Sequence, residues 1–338
     1  MKAIALTRYL PISDPESLID VELPKPSARG HDLLVRVEAV SVNPVDTKQR
    51  APKPDVEKEP RVLGYDAAGV VEAVGDAVTL FKPGDEVFYA GDITRSGTNA
   101  QYQLVDERIV GRKPKTLDFA QAAALPLTTI TAWELLFDRM RFDADGKDAG
   151  KSLLIIAGAG GVGSIAIQLA RRAGLVTIAT ASRPETIDWV KRMGAQHVVD
   201  HRQQLAPQLK ALGFDHVDGI ANLADTDRYW TAMGELIAPQ GRIGLIVEPK
   251  GPLPIGGPLK AKCVTLSWET MFGRSRFATP DMIEQHRLLE RAAALIDAGE
   301  LQNTHTETLG PINAANLRVA HAKLESGTTI GKITLAGW

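Results

Sequence analysis

Apolar and polar residues follow two different rhythms along this chain, and the rhythm changes near Asp118. Before it, short β-forming runs are punctuated by Gly and Pro: Leu33–Val40, Gly69–Gly75, and the Lys82–Phe88 turn and strand. That spacing predicts a β-rich, barrel-like module. The Pro-rich stretch Ala51–Pro60, with its mixed charges, predicts an exposed loop. Beyond Asp118 the residues Asp118–Ala124 and Thr129–Met140 read as helices, with Pro126 as a break between them. From Ser152 onward, strands at 152–157, 175–180, 197–199, 217–222, 242–247 and 263–267 alternate with helices at 161–173, 185–193, 203–211 and 226–237. The alternation predicts an α/β, doubly wound parallel sheet of six strands with helices on both faces. Helices at 281–298 and 312–324 follow, then a last strand at 331–335. That strand is expected to return to the first module, leaving the parallel sheet inserted between its two parts. An active site is then expected in the cleft, at the carboxyl ends of the strands.

One strand-to-helix junction adds chemistry to the pattern. Leu153–Ala157 runs into a turn with Gly158, Gly160 and Gly163, and the apolar Ser164–Ala173 follows. This is the G-x-G-x-x-G order. Its glycines permit a tight turn, a close approach of backbone to a pyrophosphate, and close packing of helix on strand. Gly160, Gly161, Val162 and Gly163 then bring backbone N–H groups and a helix N-terminus to the phosphates. A dinucleotide is the predicted cofactor. An NAD site ordinarily carries an acid at the end of the second strand, about twenty residues on. Here the strand ends Ala179-Thr180-Ala181-Ser182-Arg183, with a hydroxyl and a guanidinium in that place. Arg183 suits a 2′-phosphate, and Glu185, after Pro184, is expected in the first turn of the next helix. NADPH is predicted over NADH; the alternative is that Arg183 and Arg202 are solvated surface charges.

Composition narrows the class. The 338 residues carry 39 basic and 41 acidic side chains, a net charge of −2, with no long block of either sign. That balance argues against electrostatic binding of nucleic acid or a membrane surface. No window approaches a spanning apolar length, and the Met1–Leu6 run is too short for a signal peptide, so a cytoplasmic protein is expected. Cys263 is the single cysteine, which leaves no intramolecular disulfide and no Cys-based zinc site. In the alternating stretch Lys262–Leu266 it reads as a buried structural thiol.

Taken in order, several motifs resemble the medium-chain dehydrogenase/reductase superfamily, and within it the zinc-free quinone oxidoreductase branch. They are Ser41-Val42-Asn43-Pro44-Val45-Asp46, Gly64–Gly75, Phe81–Val87, Ala123-Ala124-Leu125-Pro126 with Thr131-Ala132-Trp133, Ala157–Ala170 and Gly331-Lys332-Ile333. Ser267–Phe272 suggests a subgroup whose members often carry a zinc-type alcohol dehydrogenase-like name. The resemblance implies a GroES-like catalytic domain over 1–127, a Rossmann NADP-binding domain over 128–268, and a return over 269–338 that completes the first. Zinc-dependent relatives place ligands where this chain has Asn43, Pro44, Tyr65 and Asp66 and near Leu127, and only Asp66 among these places suits a metal. A metal-free site is therefore expected.

The same resemblance assigns roles. Asn43 faces the nicotinamide, or else is simply a turn residue before Pro44. Thr131 contacts the nicotinamide half, and Lys332 reaches the cofactor unless it is solvated. Asn222 and Ile246-Val247 lie at strand ends along the cofactor's path. His201-Arg202 follow the third strand, where the family places a base for the 2′-phosphate. Tyr65 is a proton donor or an aromatic wall, Asp46 a catalytic acid or a loop anchor, and Asp66 a structural hydrogen-bond partner. Trp268, Met271 and Phe272 line the substrate end or belong to the core. The expected activity is hydride transfer from NADPH to a quinone or enone. Other activated alkenes, or a non-catalytic crystallin-like or RNA-binding role, are the alternatives. A homodimer is implied, with Val264–Leu266 as the pairing edge.

Overall fold

The computed structural model describes all 338 residues. They form two compact units, Met1–Ile130 with Phe272–Trp338, and Thr131–Met271. The divisions thus fall at 130/131 and 271/272, three residues beyond the expected 127/128 and 268/269.

The first unit opens with strands β1 (Lys2–Tyr9), β2 (Ile19–Glu22), β3 (Asp32–Ser41), β4 (Lys53–Val62), β5 (Ala67–Val74), β6 (Glu86–Tyr89), β7 (Tyr102–Asp106) and β8 (Val110–Arg112). Alternation along β3 buries Leu33, Val35 and Val37 in a core shared with Val71 and Val87. The expected loop at Ala51–Pro60 is instead mostly strand. β4 pairs antiparallel with β1 at the edge of a three-stranded sheet ordered β2-β1-β4. An edge strand has one unpaired side, so prolines without an N–H are tolerated there. Register shifts at Leu6/Arg8 and Arg8/Tyr9 take up the irregularity.

In the second unit β9 (Ser152–Ile156), β10 (Val176–Thr180), β11 (His197–Val199), β12 (Val217–Asn222), β13 (Ile237–Leu245) and β14 (Thr265–Trp268) form one parallel sheet. Its order is β11-β10-β9-β12-β13-β14, the doubly wound arrangement. Every residue of β9 is buried, as a central strand covered on both faces requires. The expected break falls between the helices Phe119–Ala123 and Pro126–Trp133; Pro126, still in the first unit, begins the second of them, where its missing N–H costs nothing. The chain continues as a π-helix, Glu134–Arg139. This turn packs directly on β13: a Cβ at Gly244 would lie 2.6 Å from Leu135 Cδ1 and 2.7 Å from the Met140 sulfur.

Cys263 corrects another expectation. It is exposed, with φ +52°, and lies in the turn before β14 rather than inside a strand. Its Cβ alternation was therefore coincidental.

The chain then returns to the first unit with β15 (His305–Thr308) and β16 (Lys332–Ala336). β16 pairs antiparallel with β3, Thr334 opposite Ser41, and its Ile333 and Leu335 join the first unit's core. The seven strands β15, β16, β3, β5, β6, β8 and β7 make one sheet.

Candidate active site

In the first unit, the end of β3, the start of β5 and the start of β16 bring five polar residues together. Asn43 caps the short helix Pro44–Arg50, and its N–H donates to Asp46 Oδ2 at 2.7 Å. The Asn43 side chain turns inward, donating to Asp66 Oδ2 (2.8 Å) and the Tyr65 carbonyl (3.3 Å). Lys332 Nζ donates to the Val42 carbonyl (2.8 Å), Asn43 Oδ1 (2.5 Å) and Asp66 Oδ2 (3.0 Å). Asp66 Oδ1 accepts from Leu127 N–H at 2.7 Å.

An ammonium has three donors, and Lys332 spends all three inside the unit, with its side chain 4% exposed. Lys332 is therefore neither solvated nor left with a donor for a cofactor. Its buried position is what pairs Asp66, which is itself wholly buried. Asp66 is the structural hydrogen-bond partner that was expected. Burial pushes its carboxyl pKa up, with Lys332 and Asn43 opposing.

Asp46 differs. Burial pushes its pKa up to about 7, the Asn43 N–H and Lys332 opposing and the Asp66 charge adding. Its Oδ1 is buried without a partner. Tyr65 is buried and meets Phe272 edge-on at 5.2 Å, so Phe272 belongs to its wall. Burial raises the Tyr65 hydroxyl pKa above its ordinary value, and the Asp46 charge adds to that. The phenol is thus a weaker acid than usual and a neutral hydrogen-bond donor. Trp268 does not belong to the core: it stands half exposed on β14.

These residues do not fit a zinc ion. Asn43, Pro44 and Tyr65 are poor ligands; of the two carboxyls, Asp66 already carries an ammonium and two other donors and Asp46 accepts the Asn43 N–H, and no third His, Cys, Asp or Glu joins them.

In the second unit the glycine turn has the form a pyrophosphate needs. Ala157, at φ +65°, ends β9; its N–H donates to Thr180 Oγ1 at 2.9 Å, tying the turn to β10. Gly160 caps the helix Gly161–Arg172, whose first-turn N–H groups have no intrahelical acceptor. A Cβ at Gly163 would stand 2.5 Å from the Ala157 carbonyl and 2.7 Å from Gly158 Cα, so only glycine fits.

Past β10, Ser182 Oγ lies 3.4 Å from His201 Nε2. Arg183 pairs with Glu185 at 3.2 Å, and Arg202 forks onto Asp200, Nη2 to Oδ2 at 2.7 Å. Arg228, unremarked in the sequence pattern, donates to the His201 carbonyl at 3.1 Å. Burial lowers the His201 pKa; Arg228, Arg202 and Arg183 add to the lowering against Asp200. Three guanidiniums therefore act on one imidazole. Asn222 is buried, its Nδ2 donating to Thr226 Oγ1 and its Oδ1 accepting from the Ala224 N–H. Ile246 and Val247 follow the end of β13, and Thr131 sits in the last turn of its α-helix.

A six-stranded parallel sheet with a glycine turn, in a chain that also carries a β-rich module, defines a dinucleotide-dependent enzyme architecture. Residues 29–115 match the alcohol dehydrogenase GroES-like domain, and residues 161–291 the zinc-binding dehydrogenase family. Over 336 residues, 99% of both chains, the protein is 45% identical to a zinc-type alcohol dehydrogenase-like protein of Staphylococcus aureus. It is 41% identical to an NADPH-dependent alkenal/one oxidoreductase of Arabidopsis thaliana, over 53% of this chain and 47% of that one. A crystal structure from Rhizobium etli CFN 42, provisionally named a zinc-dependent alcohol dehydrogenase, superposes with a TM-score of 0.95. It is 55% identical and covers 100% of this chain and 98% of that one. A Pseudomonas syringae quinone oxidoreductase superposes at 0.82, with 26% identity and 99% of each chain covered. The chain belongs to the medium-chain dehydrogenase/reductase superfamily, a family of NAD(P)H-using oxidoreductases. No helix is long and apolar enough to cross a membrane.

Proposed function

We propose that this chain is an NADPH-dependent, zinc-independent oxidoreductase that passes a hydride to a quinone or a similar conjugated carbonyl. The observation that carries the reading is the end of β10, which has no acid at its tip and where Ser182 and His201 gather with Arg183, Arg202 and Arg228, three guanidiniums against the two carboxylates Glu185 and Asp200. A 2′-phosphate matches that cationic group, whereas a ribose diol asks for a carboxylate. In this reading the N–H groups of Gly161, Val162 and Gly163 hold the pyrophosphate. Thr131, Ile246 and Val247 hold the nicotinamide half. The bound cofactor supplies the hydride, and the protein supplies orientation and electrostatics.

The donor set in the first unit supplies no Lewis acid, so the acceptor has to carry the arriving charge itself. A quinone or enone spreads it over a π-system; a saturated ketone does not. Asn43 and Lys332 are positioning residues that order Asp66 and Asp46. Tyr65 offers a neutral hydrogen bond, and Asp46 holds a proton near neutral pH. The likeness to the plant alkenal/one enzyme favours a second reading, reduction of other activated alkenes. The proposal includes a homodimer paired through β14, an edge strand of its sheet.

Fluorescence titration with NADPH and NADH tests the cofactor, and NADPH oxidation against a quinone, enone and enal panel tests the acceptor. Tighter NADPH binding is expected, weakened by the double substitution Arg183→Ala and Arg228→Ala. Equal affinity for both cofactors overturns the phosphate site. Turnover lost on dialysis against a chelator and restored by zinc overturns the metal-free reading. Light scattering reads the dimer.

A further inference from the structure

Glu134 and Glu269 are both wholly buried within the second unit, and both lean on Arg139. Arg139 Nε donates to Glu269 Oε2 at 2.8 Å, and Nη2 donates to Glu134 Oε2 at 3.2 Å. Two buried carboxyls thus share one guanidinium. Two anions against one cation are not neutral, and water cannot reach them to make up the difference. Glu269 Oε1 is buried without a hydrogen-bond partner, so an ionised Glu269 would leave charge on an unsolvated oxygen. Burial and the Glu134 charge push Glu269 up to about 9, against Arg139.

The cluster sits at a structural junction. Glu134 opens the π-helix three residues after Thr131. Glu269 follows β14, and its N–H donates to the Leu245 carbonyl at the end of β13, 2.9 Å away. Ser267 Oγ donates to the Arg139 carbonyl at 3.1 Å. The charged groups facing Glu269 are Glu134 and Arg139 from the π-helix; β13 and β14 present the Leu245 carbonyl and the Ser267 hydroxyl. The helix bearing Thr131 is thereby tied to the strand ends just before Ile246 and Val247.

We propose that Glu134 and Glu269 hold one proton between them, and that this pair, clamped by Arg139, positions Thr131 against Ile246 and Val247 for the nicotinamide half of the cofactor. The positioning rests on the cofactor reading above; the shared proton does not.

Urea unfolding of the full chain between about pH 6 and 8.5 tests the proton. In that window the folded pair keeps a proton that the unfolded chain has lost. Relative to Glu269→Gln, the wild-type unfolding constant should then rise up to about tenfold per pH unit. Glu134→Gln leaves the same charge count and should behave as Glu269→Gln does; it serves if the first variant fails to fold. Coincident pH dependences of wild type and variant overturn the one-proton pair. NADPH titrations at about pH 7.5 and pH 10 test the positioning. The wild-type Kd should weaken severalfold more than that of Glu269→Gln over this step. Equal weakening overturns the positioning role. A wild type that binds NADPH at neither pH overturns the cofactor reading and the positioning with it, while the unfolding comparison still decides the proton.

Discussion

Replacing Lys332 by Met removes the ammonium and keeps most of the aliphatic stem. The structure specifies what is left behind: Asp66, wholly buried, loses its only cation, and Asn43 Oδ1 and the Val42 carbonyl lose a donor. Breaking a buried pair by removing one partner costs about 3–5 kcal/mol, because the remaining charge has no water to turn to. Burial already pushes Asp66 up, so the variant should take up a proton there and recover part of the loss in acid. For a raised carboxyl, stability is present at low pH and lost as pH rises through the folded pKa. The Lys332→Met deficit should therefore be larger at about pH 8 than at about pH 5. The double variant Lys332→Met with Asp66→Asn removes the stranded charge and should regain at least half of the loss. Urea titrations followed by circular dichroism measure all four members of this cycle. A Lys332→Met deficit below about 1 kcal/mol at pH 8, or no rescue by Asp66→Asn, would refute the internal ion pair and return Lys332 to the solvated state.

Gly163→Ala should abolish NADPH binding and cost about 1–3 kcal/mol, since its Cβ would fall 2.5 Å from the Ala157 carbonyl; retained NADPH fluorescence enhancement would contradict the turn's role. Arg228→Ala should weaken NADPH, but not NADH, by about tenfold, or about 1.4 kcal/mol; parallel losses for both cofactors would mean Arg228 serves only the fold. Cys263, exposed before β14, should react with an aromatic disulfide reagent in the native protein, one thiol per chain. Reaction only after denaturation would contradict its exposure.

Much of the fold was legible because its signals are local. The parallel sheet announced itself by alternation, and the glycine turn by sterics that any backbone of that shape must obey. β4 was not legible: its prolines and charges describe an edge strand as well as they describe a loop, and only the partner β1 decides. Cys263 failed for a similar reason, since a four-residue alternation carries no information on where a turn ends. In the site, Asp66 and Ser182 were readable from their neighbours in sequence. Lys332 was singled out only through its family motif, as a cofactor contact or a solvated lysine; its buried bonding was not readable, because its three acceptors lie 266 to 290 residues away. Glu134 left a fainter trace: an acid one residue after the apolar helix Pro126–Trp133 has little chance of solvent. Its partners Arg139 and Glu269 lie on a π-helix and after an edge strand, and no sequence spacing connects all three.

The two units share one electrostatic habit, and it has a measurable consequence. Each buries two carboxyls against one cation: Asp46 and Asp66 with Lys332, Glu134 and Glu269 with Arg139. Asp46 is pushed up to about 7 and Glu269 to about 9, in both cases chiefly by burial. A raised carboxyl keeps a proton that the unfolded chain releases, so each weakens the fold as pH rises, by about 1.4 kcal/mol per unit. Asp46 acts up to about pH 7, and Glu269 up to about pH 9. His321 works the other way: burial, with Arg50 adding, lowers it to about 3, so it costs stability as pH falls below its unfolded value. Between about pH 4.5 and 6.5 at least two protons oppose one, and above pH 7 Glu269 continues the decline, with Asp66, also raised, adding in the same direction. Stability should therefore be greatest near the acid end of that window, at about pH 4.5, and decline toward pH 9. Asp46→Asn should flatten the decline below pH 7, and Glu269→Gln should flatten it throughout. A maximum at pH 7–8 in the wild type would mean that neither cluster carries its extra proton.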